Sequence, residues 1–239
     1  MIKPYQHQKE SKKVQVEQMF DSISSEYDRL NRVISFGMDL KWRRRVVKMA
    51  IELAPDQILD VATGTGDLVL AIRNSGASRI VGLDLSPGML AVGTEKVKLA
   101  GAGSLIEMMI GDSENLVFED ETFDLITVAF GIRNFENLNN GLSEMFRVLK
   151  KGGTLVILET SVPRNFPFKQ LYLFHSNVIL PMIGKLFSKN QSAYRYLGNS
   201  AQQFPYGEAL NNILREIGFK NAKAMPQTFG VATIYSAKK

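Results

Sequence analysis

The feature that most constrains this chain is the run Asp60-Val61-Ala62-Thr63-Gly64-Thr65-Gly66-Asp67, preceded by apolar Ile58-Leu59 and followed by Leu68-Val69-Leu70-Ala71-Ile72. A short apolar run, two glycines and a stretch of helical spacing predict a strand, a tight turn and a helix. Glycine lets the backbone approach a ligand closely, and the start of the helix offers free N–H groups, so a polar ligand is expected there. A dinucleotide loop would continue as G-x-G-x-x-G, but Val69 stands where the third glycine belongs, which argues against a pyrophosphate. On this motif alone a purely structural turn stays open.

The pattern recurs. Arg79–Asp84, Ile106–Asp112, Phe123–Ala129 and Thr154–Leu158 read as further strands, with helices through Met89 and Leu90 and from Leu138 to Leu149, the latter expected to end at Gly152-Gly153. Late in the chain Ala209–Ile217 reads as a helix closed by Gly218, and Ala222–Met225 and Val231–Ser236 read as strands. Strands alternating with helices predict an α/β fold of seven strands, mostly parallel, with helices on both faces. Residues 14–53, with Val14, Met19, Phe20, Ile23 and Trp42, read as helices placed before the sheet, suited to covering a substrate.

At 239 residues, 45% hydrophobic and 22% charged, the composition is that of a globular chain with a real core, and one domain suffices. The absence of cysteine excludes thiolate metal sites, disulfides and a cysteine nucleophile, and suits a reducing compartment. The excess of 29 basic over 24 acidic residues is concentrated early, in Lys3, Lys9, Lys12, Lys13, Lys41, Arg43, Arg44 and Arg45. Such a run suits phosphates or anionic lipid, although a solvated helix face explains most basic runs equally well. The first ten residues lack the apolar core of a signal peptide, so secretion is not expected. The longest apolar segment, Leu171–Phe187, is interrupted by His175, Asn177, Pro181 and Lys185 and falls short of a membrane span.

Asp84 lies twenty residues beyond Gly64 at the end of the second strand, where a carboxylate can accept both hydroxyls of a ribose. Asp112 and Ser113, after the third strand, supply an acceptor and a hydroxyl for an adenine edge, though Asp at a strand end is often only a turn former. Open α/β sheets bind ligands outside the carboxyl ends of their strands, so these residues are expected to share one crevice.

The blocks VEQMFDSISSEYDRLNRVISFGMDLKWRR, LDVATGTGD, GLDLSPGML, FDLITVAFGIRNF, FRVLKKGG, LVILET and SAYRYLGNSAQQFP resemble the class I S-adenosylmethionine methyltransferases, and within them the ubiquinone/menaquinone C-methyltransferase family, over nearly the full length. That resemblance implies a Rossmann-like seven-stranded mixed sheet, a helical cap over 1–53 and a cofactor-binding core over 54–239 that carries a substrate-side insertion near 161–205, all in a single domain. It implies that Thr65, Asp84, Asp112 and Ser113 contact S-adenosylmethionine, with Gly64 and Gly66 shaping the loop, and that no metal takes part. It also implies that Tyr27, Arg133 and Asn134 line the acceptor site and activate a water as base. The chain departs from the family pattern at Ala62, in place of a first glycine, at Lys151, where proline is frequent, and at Val117. Ala62 is expected to keep an ordinary backbone conformation.

The reaction so implied is methylation of a ring carbon of a prenylated quinol, demethylmenaquinol being the leading acceptor and the benzoquinol precursor of ubiquinone the alternative. A hydroquinone carbon becomes nucleophilic when a ring hydroxyl loses its proton. Phenols have a pKa near 10, and a cation within about 4 to 6 Å lowers it by about 1 to 3 units. Arg133 is the expected cation, unless it is spent on a salt bridge to Glu136 or Glu159. Tyr27 has an alternative as a packed tyrosine, Asn134 as a turn residue, and His175 is weighed as a general base against a plain packing role. Tyr194, Tyr196 and Leu197, with the apolar segment, are expected either to form a slot for a prenyl tail or to pack as ordinary helix. The expected location is the cytoplasm with a peripheral contact at the inner face of the membrane, without nucleic acid, and with a homodimer among the assemblies allowed. Competing readings are an NAD-dependent oxidoreductase, a non-catalytic S-adenosylmethionine-binding module and an RNA-binding protein, whose binding would fall steeply with salt.

Overall fold

The computed structural model describes residues 2–180, 182 and 191–239. Three helices precede the sheet: α1 (Lys12–Ile23), α2 (Tyr27–Ile34) and α3 (Met38–Leu53). The core then runs β1 (Gln57–Val61), α4 (Asp67–Ile72), β2 (Arg79–Asp84), α5 (Pro87–Leu99), β3 (Ile106–Ile110), β4 (Phe123–Ala129), a 3-10 turn (Ile132–Asn134), α6 (Leu138–Val148) and β5 (Leu149–Thr160). After it come α7 (Phe168–Phe174), continued by a π-helical turn (His175–Ile179), α8 (Gln191–Gln203), α9 (Glu208–Ile217), β6 (Lys220–Gln227) and β7 (Ala232–Lys238).

The seven strands form one sheet in the order β3-β2-β1-β4-β5-β7-β6. β1 to β5 pair in parallel, and β7 is antiparallel to both β5 and β6. The mixed sheet expected from the sequence is therefore present, and the strand order reverses between β1 and β4, the switch point at which such sheets open a crevice. Successive residues of the central strands enter opposite cores. Leu59, Val61, Val81, Leu83, Ile126 and Val128 pack with Leu142 and Met145 of α6 and Leu210 and Leu214 of α9. Ile58, Ile80 and Leu125 pack with Trp42 and Val46 of α3, Leu68 and Ile72 of α4 and Val97 of α5. Coverage on both sides is why these strands read as continuous apolar runs and not as alternating ones.

A third cluster, with Val16, Met19, Ile23, Leu30, Met89, Tyr194 and Tyr196, packs the cap helices against the start of α5 and against α8. Tyr194 and Tyr196 thus have the packing role. α5 begins at a well-formed cap, where Ser86 Oγ accepts the Met89 N–H at 3.1 Å and Pro87 opens the helix.

The expected stop at Gly152-Gly153 is corrected. α6 ends at Val148 and the chain enters β5 directly, because fully buried Leu149 pairs with Phe123 in the sheet. Pairing resumes at Leu125 with Thr154, and the residues between form a bulge in which Gly152, at φ 79°, donates its N–H to the Lys239 carbonyl at 3.0 Å. The edge strand β6 runs longer than expected at both ends and its neighbour β7 at its C-terminal end, and β3 stops at Ile110, short of Asp112. The apolar segment becomes α7 and the π-helical turn, its portion at Pro181 and residues 183–187 lying outside the described residues. No described helix is long and apolar enough to cross a membrane.

Candidate functional site

The loop after β1 is braced from beneath. Asp60, 1% exposed, accepts the Thr63 hydroxyl at 2.7 Å and the Thr127 hydroxyl of β4 at 2.5 Å, and burial pushes its pKa up to about 6 against those two bonds. The chain then leaves the sheet through Ala62 at φ 53°, Gly64 at 58° and Gly66 at 77°. Ala62 therefore does not keep an ordinary conformation: it occupies the left-handed region that favours glycine. At Gly66 an added Cβ would meet the Gly93 Cα of α5 at 3.5 Å, an ordinary contact, so the left-handed φ and not the space calls for glycine there.

Asp84 faces the loop from the end of β2. Its Oδ2 accepts the Gly64 N–H at 2.7 Å and its Oδ1 accepts the Ser86 N–H at 2.9 Å. Backbone amides thus fix both oxygens at the cleft, side by side as two neighbouring hydroxyls require. Gly64, Asp84, Asp112, Ser113 and Asn134 line one cleft of about 680 Å³, whose other walls include apolar Val16, Phe20, Leu85 and Met89. A carboxylate for a diol beside apolar walls for a flat base suits a nucleoside ligand.

The cap closes this cleft through polar ties. Lys13 reaches Asp112 at 2.6 Å, and Asp112 also accepts the Glu114 N–H at 2.9 Å. Asp21 accepts the Gly88 N–H at 2.8 Å and the Ser86 hydroxyl. Lys12, 7% exposed, donates to the carbonyls of Arg133 at 3.0 Å and Phe135 at 2.6 Å, and burial lowers its pKa to about 8 against the pull of Glu114 and Glu136. Two lysines of the basic N-terminal run are thus occupied in holding the cap to the sheet. Arg43, from the second basic run, is likewise buried, paired with Asp39 at 2.7 Å and set over the Phe130 ring at 5.3 Å.

Thr65 is placed differently from the others. Its hydroxyl donates to Asp28 of α2 at 2.6 Å, and Lys96 holds both Asp28, at 2.8 Å, and Asp67, at 2.5 Å. It faces a recess of about 310 Å³ shared with Tyr27, Arg43 and Asp60, outside the lining of the main cleft.

A second cleft, of about 860 Å³ and mostly apolar, lies on the other side of Tyr27 and Phe130, the two residues whose side chains line both spaces. The 3-10 turn after β4 directs neighbours to opposite sides: Asn134 lines the first cleft and Arg133 the second. Arg133 Nη1 donates to the Phe130 carbonyl at 2.8 Å and to Glu159 Oε1 at 2.5 Å. Burial works against its charge, and Glu159 together with Tyr27 and Tyr196 outweighs that effect and raises its pKa. Of the two acids weighed as partners, Glu159 has it. Tyr27 stacks edge-on against Phe20 at 5.8 Å, and burial raises its pKa against a hydrogen bond with Asn31, so it stays a neutral phenol. His175 also lines the second cleft, as does Leu197. The His175 ring bonds to the Ile34 backbone, its Nε2 is buried without a partner among the described residues, and burial lowers its pKa.

Asp28, Asp60, Lys12 and Lys13 act on this site and were not expected to. Asp60 alone left a trace, a carboxylate inside an apolar strand just before the glycine turn. The other three act through contacts between the cap and distant loops, for which local spacing holds no signal.

The model of the ubiE/COQ5 methyltransferase family matches residues 6–239. A demethylmenaquinone methyltransferase of Bacteroides fragilis is 48% identical over 239 residues, covering 100% of this chain and 97% of that protein. A ubiquinone/menaquinone biosynthesis C-methyltransferase of Geotalea daltonii is 47% identical over 94% of this chain and 96% of its own length. Among solved structures, an S-adenosylmethionine-dependent methyltransferase of Thermotoga maritima superimposes with a TM-score of 0.58 at 17% identity, over 94% of this chain and 99% of that one, which shows a shared fold. With the family's model spanning the glycine loop, both clefts and the cap, this chain belongs to the ubiE/COQ5 methyltransferase family.

Proposed function

We propose that the chain transfers a methyl group from S-adenosylmethionine to a ring carbon of a prenylated quinol, demethylmenaquinol. The observation that carries this reading is the pair of clefts meeting at Tyr27 and Phe130, a polar one suited to a nucleoside and an apolar one suited to a ring with a hydrocarbon tail. The activities named for the Bacteroides and Geotalea relatives support it.

Asp84 receives the ribose hydroxyls, Asp112 and Ser113 meet the adenine edge, and the Gly64 loop carries the amino-acid end toward Thr65. When bound, S-adenosylmethionine would supply an electrophilic methyl carbon: a ring C–C bond forms as the C–S bond breaks, the thioether departs, and the ring carbon loses its proton to water as the carbonyl oxygen left by phenolate attack regains one, so that one proton is released per turnover. Tyr27, at the junction, orients the quinol as a neutral hydrogen-bonding phenol. Arg133 favours the phenolate, its field reduced by Glu159. Asn134, whose Oδ1 is buried without a partner among the described residues, positions the donor side. On the acceptor side His175 Nε2 presents a lone pair that has no hydrogen-bond donor among the described residues. The bond to Ile34 leaves Nδ1 as the protonated nitrogen, and a neutral ring can take the phenolic proton.

The test is mass-spectrometric detection of product from purified protein, S-adenosylmethionine and reduced demethylmenaquinone, with the benzoquinol precursor in parallel. A ring-methylated naphthoquinol is expected. No product from either quinol, with cofactor binding confirmed, overturns the acceptor assignment, and preferential methylation of the benzoquinol replaces it.

A further inference from the structure

The mouth of the apolar cleft opens onto a surface with an unusual composition. A side space of about 740 Å³, sharing Tyr172, His175 and Trp42 with the cleft, is bounded by Phe36, Leu171 and Phe229. Phe36 is 76% exposed and Phe229 69% exposed. Both have left-handed backbones, at φ 51° and 58°, a conformation that costs a bulky residue about 1–2 kcal/mol and persists where the surroundings require it. Phe174 and Val178, in the helical segment that carries Leu171 and His175, are also exposed, as are Phe166 and Met182 on either side of it in sequence. Soluble surfaces rarely gather so many large apolar side chains in one place.

The segments that carry these residues hold charge almost entirely of one sign. Between Glu159 and Glu208 the sequence holds no Asp or Glu, while Arg164, Lys169 and Arg195 are among its bases. From Arg29 to Ile51 the one carboxylate is Asp39, which is buried and committed to Arg32 and Arg43. Exposed Lys41, Arg44 and Arg45, on the outer side of α3, have no ion pair among the described residues. Exposed aromatic rings beside unpaired cations match an anionic bilayer, whose headgroups attract each nearby Lys or Arg by about 1 kcal/mol and whose interface accepts aromatic rings.

We infer that this face, formed by Phe36, Phe166, Leu171, Phe174 and Phe229 and flanked by Lys41 and Lys169, docks the protein on an anionic lipid surface. The inference rests on the proposed function for its purpose: the mouth of the acceptor cleft then faces the bilayer, and a ring enters from the lipid while its tail stays there.

The experiment is co-sedimentation of the full chain with vesicles of equal phosphatidylglycerol and phosphatidylcholine, and with phosphatidylcholine alone, across a salt series. Binding to the anionic vesicles, weakened by salt and weak on neutral ones, is expected. The variants are F166S/F174S and K41E/K169E, since none of these side chains lines either cleft. Each pair is expected to lower vesicle binding by about tenfold or more, with cofactor binding and turnover of a tail-less soluble quinol unchanged. Absence of binding to anionic vesicles at low salt overturns the inference. So does binding that both variant pairs leave intact, or a concentration-dependent dimer that F166S/F174S dissolves, which would assign the face to a second copy. Turnover of the soluble quinol reads the proposed function separately, so failure of one is distinguishable from failure of the other.

Discussion

Arg133 and Glu159 form a buried ion pair at the end of the sheet, Nη1 2.5 Å from Oε1, with their side chains 7% and 0% exposed. The arginine comes from the turn after β4 and the glutamate from the end of β5, so the pair exists only because β4 and β5 are neighbours. A cation cancelled by an anion at this range presents little more than a dipole to a substrate in the cleft.

Opposite effects are therefore expected from removing either charge. Glu159→Gln leaves the cation uncompensated, lowers the quinol pKa and moves the rise of kcat with pH to lower pH. Arg133→Gln leaves the anion and moves it to higher pH. Each single change should cost about 3–5 kcal/mol of stability in urea unfolding, and the double variant should recover much of it. If both single variants shift the pH profile in the same direction, the pair has only a structural role.

His175 gives a second expectation. Burial holds its pKa below the ordinary imidazole value of 6.5, so it is a neutral acceptor at pH 7 and loses that capacity as pH falls through its lowered pKa. kcat/KM should show an acidic limb below pH 6.5 that His175→Asn removes, with activity at pH 7 lowered about 10²-fold or more. An acidic limb that survives the substitution assigns the proton to another group. The neutral buried ring also links stability to pH: its contribution is full above the ordinary value of 6.5 and is lost progressively as pH falls from there through the lowered pKa of the folded state.

Asp84 offers two oxygens already aligned by the Gly64 and Ser86 amides. Asp84→Asn keeps one acceptor and sets an NH₂ against a backbone N–H. With hydrogen bonds to a charged group at about 1.5–3 kcal/mol each, the Kd for S-adenosylmethionine should rise about 10²- to 10³-fold. Isothermal titration calorimetry measures this directly. An affinity within threefold of the parent chain would remove the ribose from Asp84.

Sequence and structure agree where the signal is local. The glycine loop, Asp84 and the alternation of strands and helices need only neighbours in the chain, and the blocks that resemble a methyltransferase family cover them. The sequence left open whether Arg133 would find Glu136 or Glu159, because that choice depends on which strand lies beside β4. It also left Lys12 and Lys13 as members of a basic run, whereas one is buried on carbonyls of the turn after β4 and the other sits on Asp112. The left-handed φ of Ala62 is not legible either, since alanine carries no signal for that conformation, and its neighbour Gly131 comes from a distant turn.

That last relationship carries its own test. A Cβ at Gly131 would lie 2.5 Å from the Cβ of Ala62, so the loop holds one methyl group where the family pattern places a glycine, and the turn after β4 holds none. Ala62→Gly should relieve the left-handed strain for a gain of up to about 1 kcal/mol, since the greater freedom of glycine in the unfolded chain offsets part of it. Gly131→Ala in the parent chain should cost about 1–3 kcal/mol by overpacking. Placed together, the two should cost clearly less than their sum, with a coupling of at least about 1 kcal/mol in thermal unfolding, and the remainder set by Val128 Cγ1 at 3.2 Å from the new methyl. Both residues line the donor cleft, so the Gly131→Ala loss should extend to S-adenosylmethionine affinity and be eased by Ala62→Gly. Strict additivity of the two changes would mean that the loops separate freely, and that the methyl of Ala62 does not govern what the turn after β4 can hold.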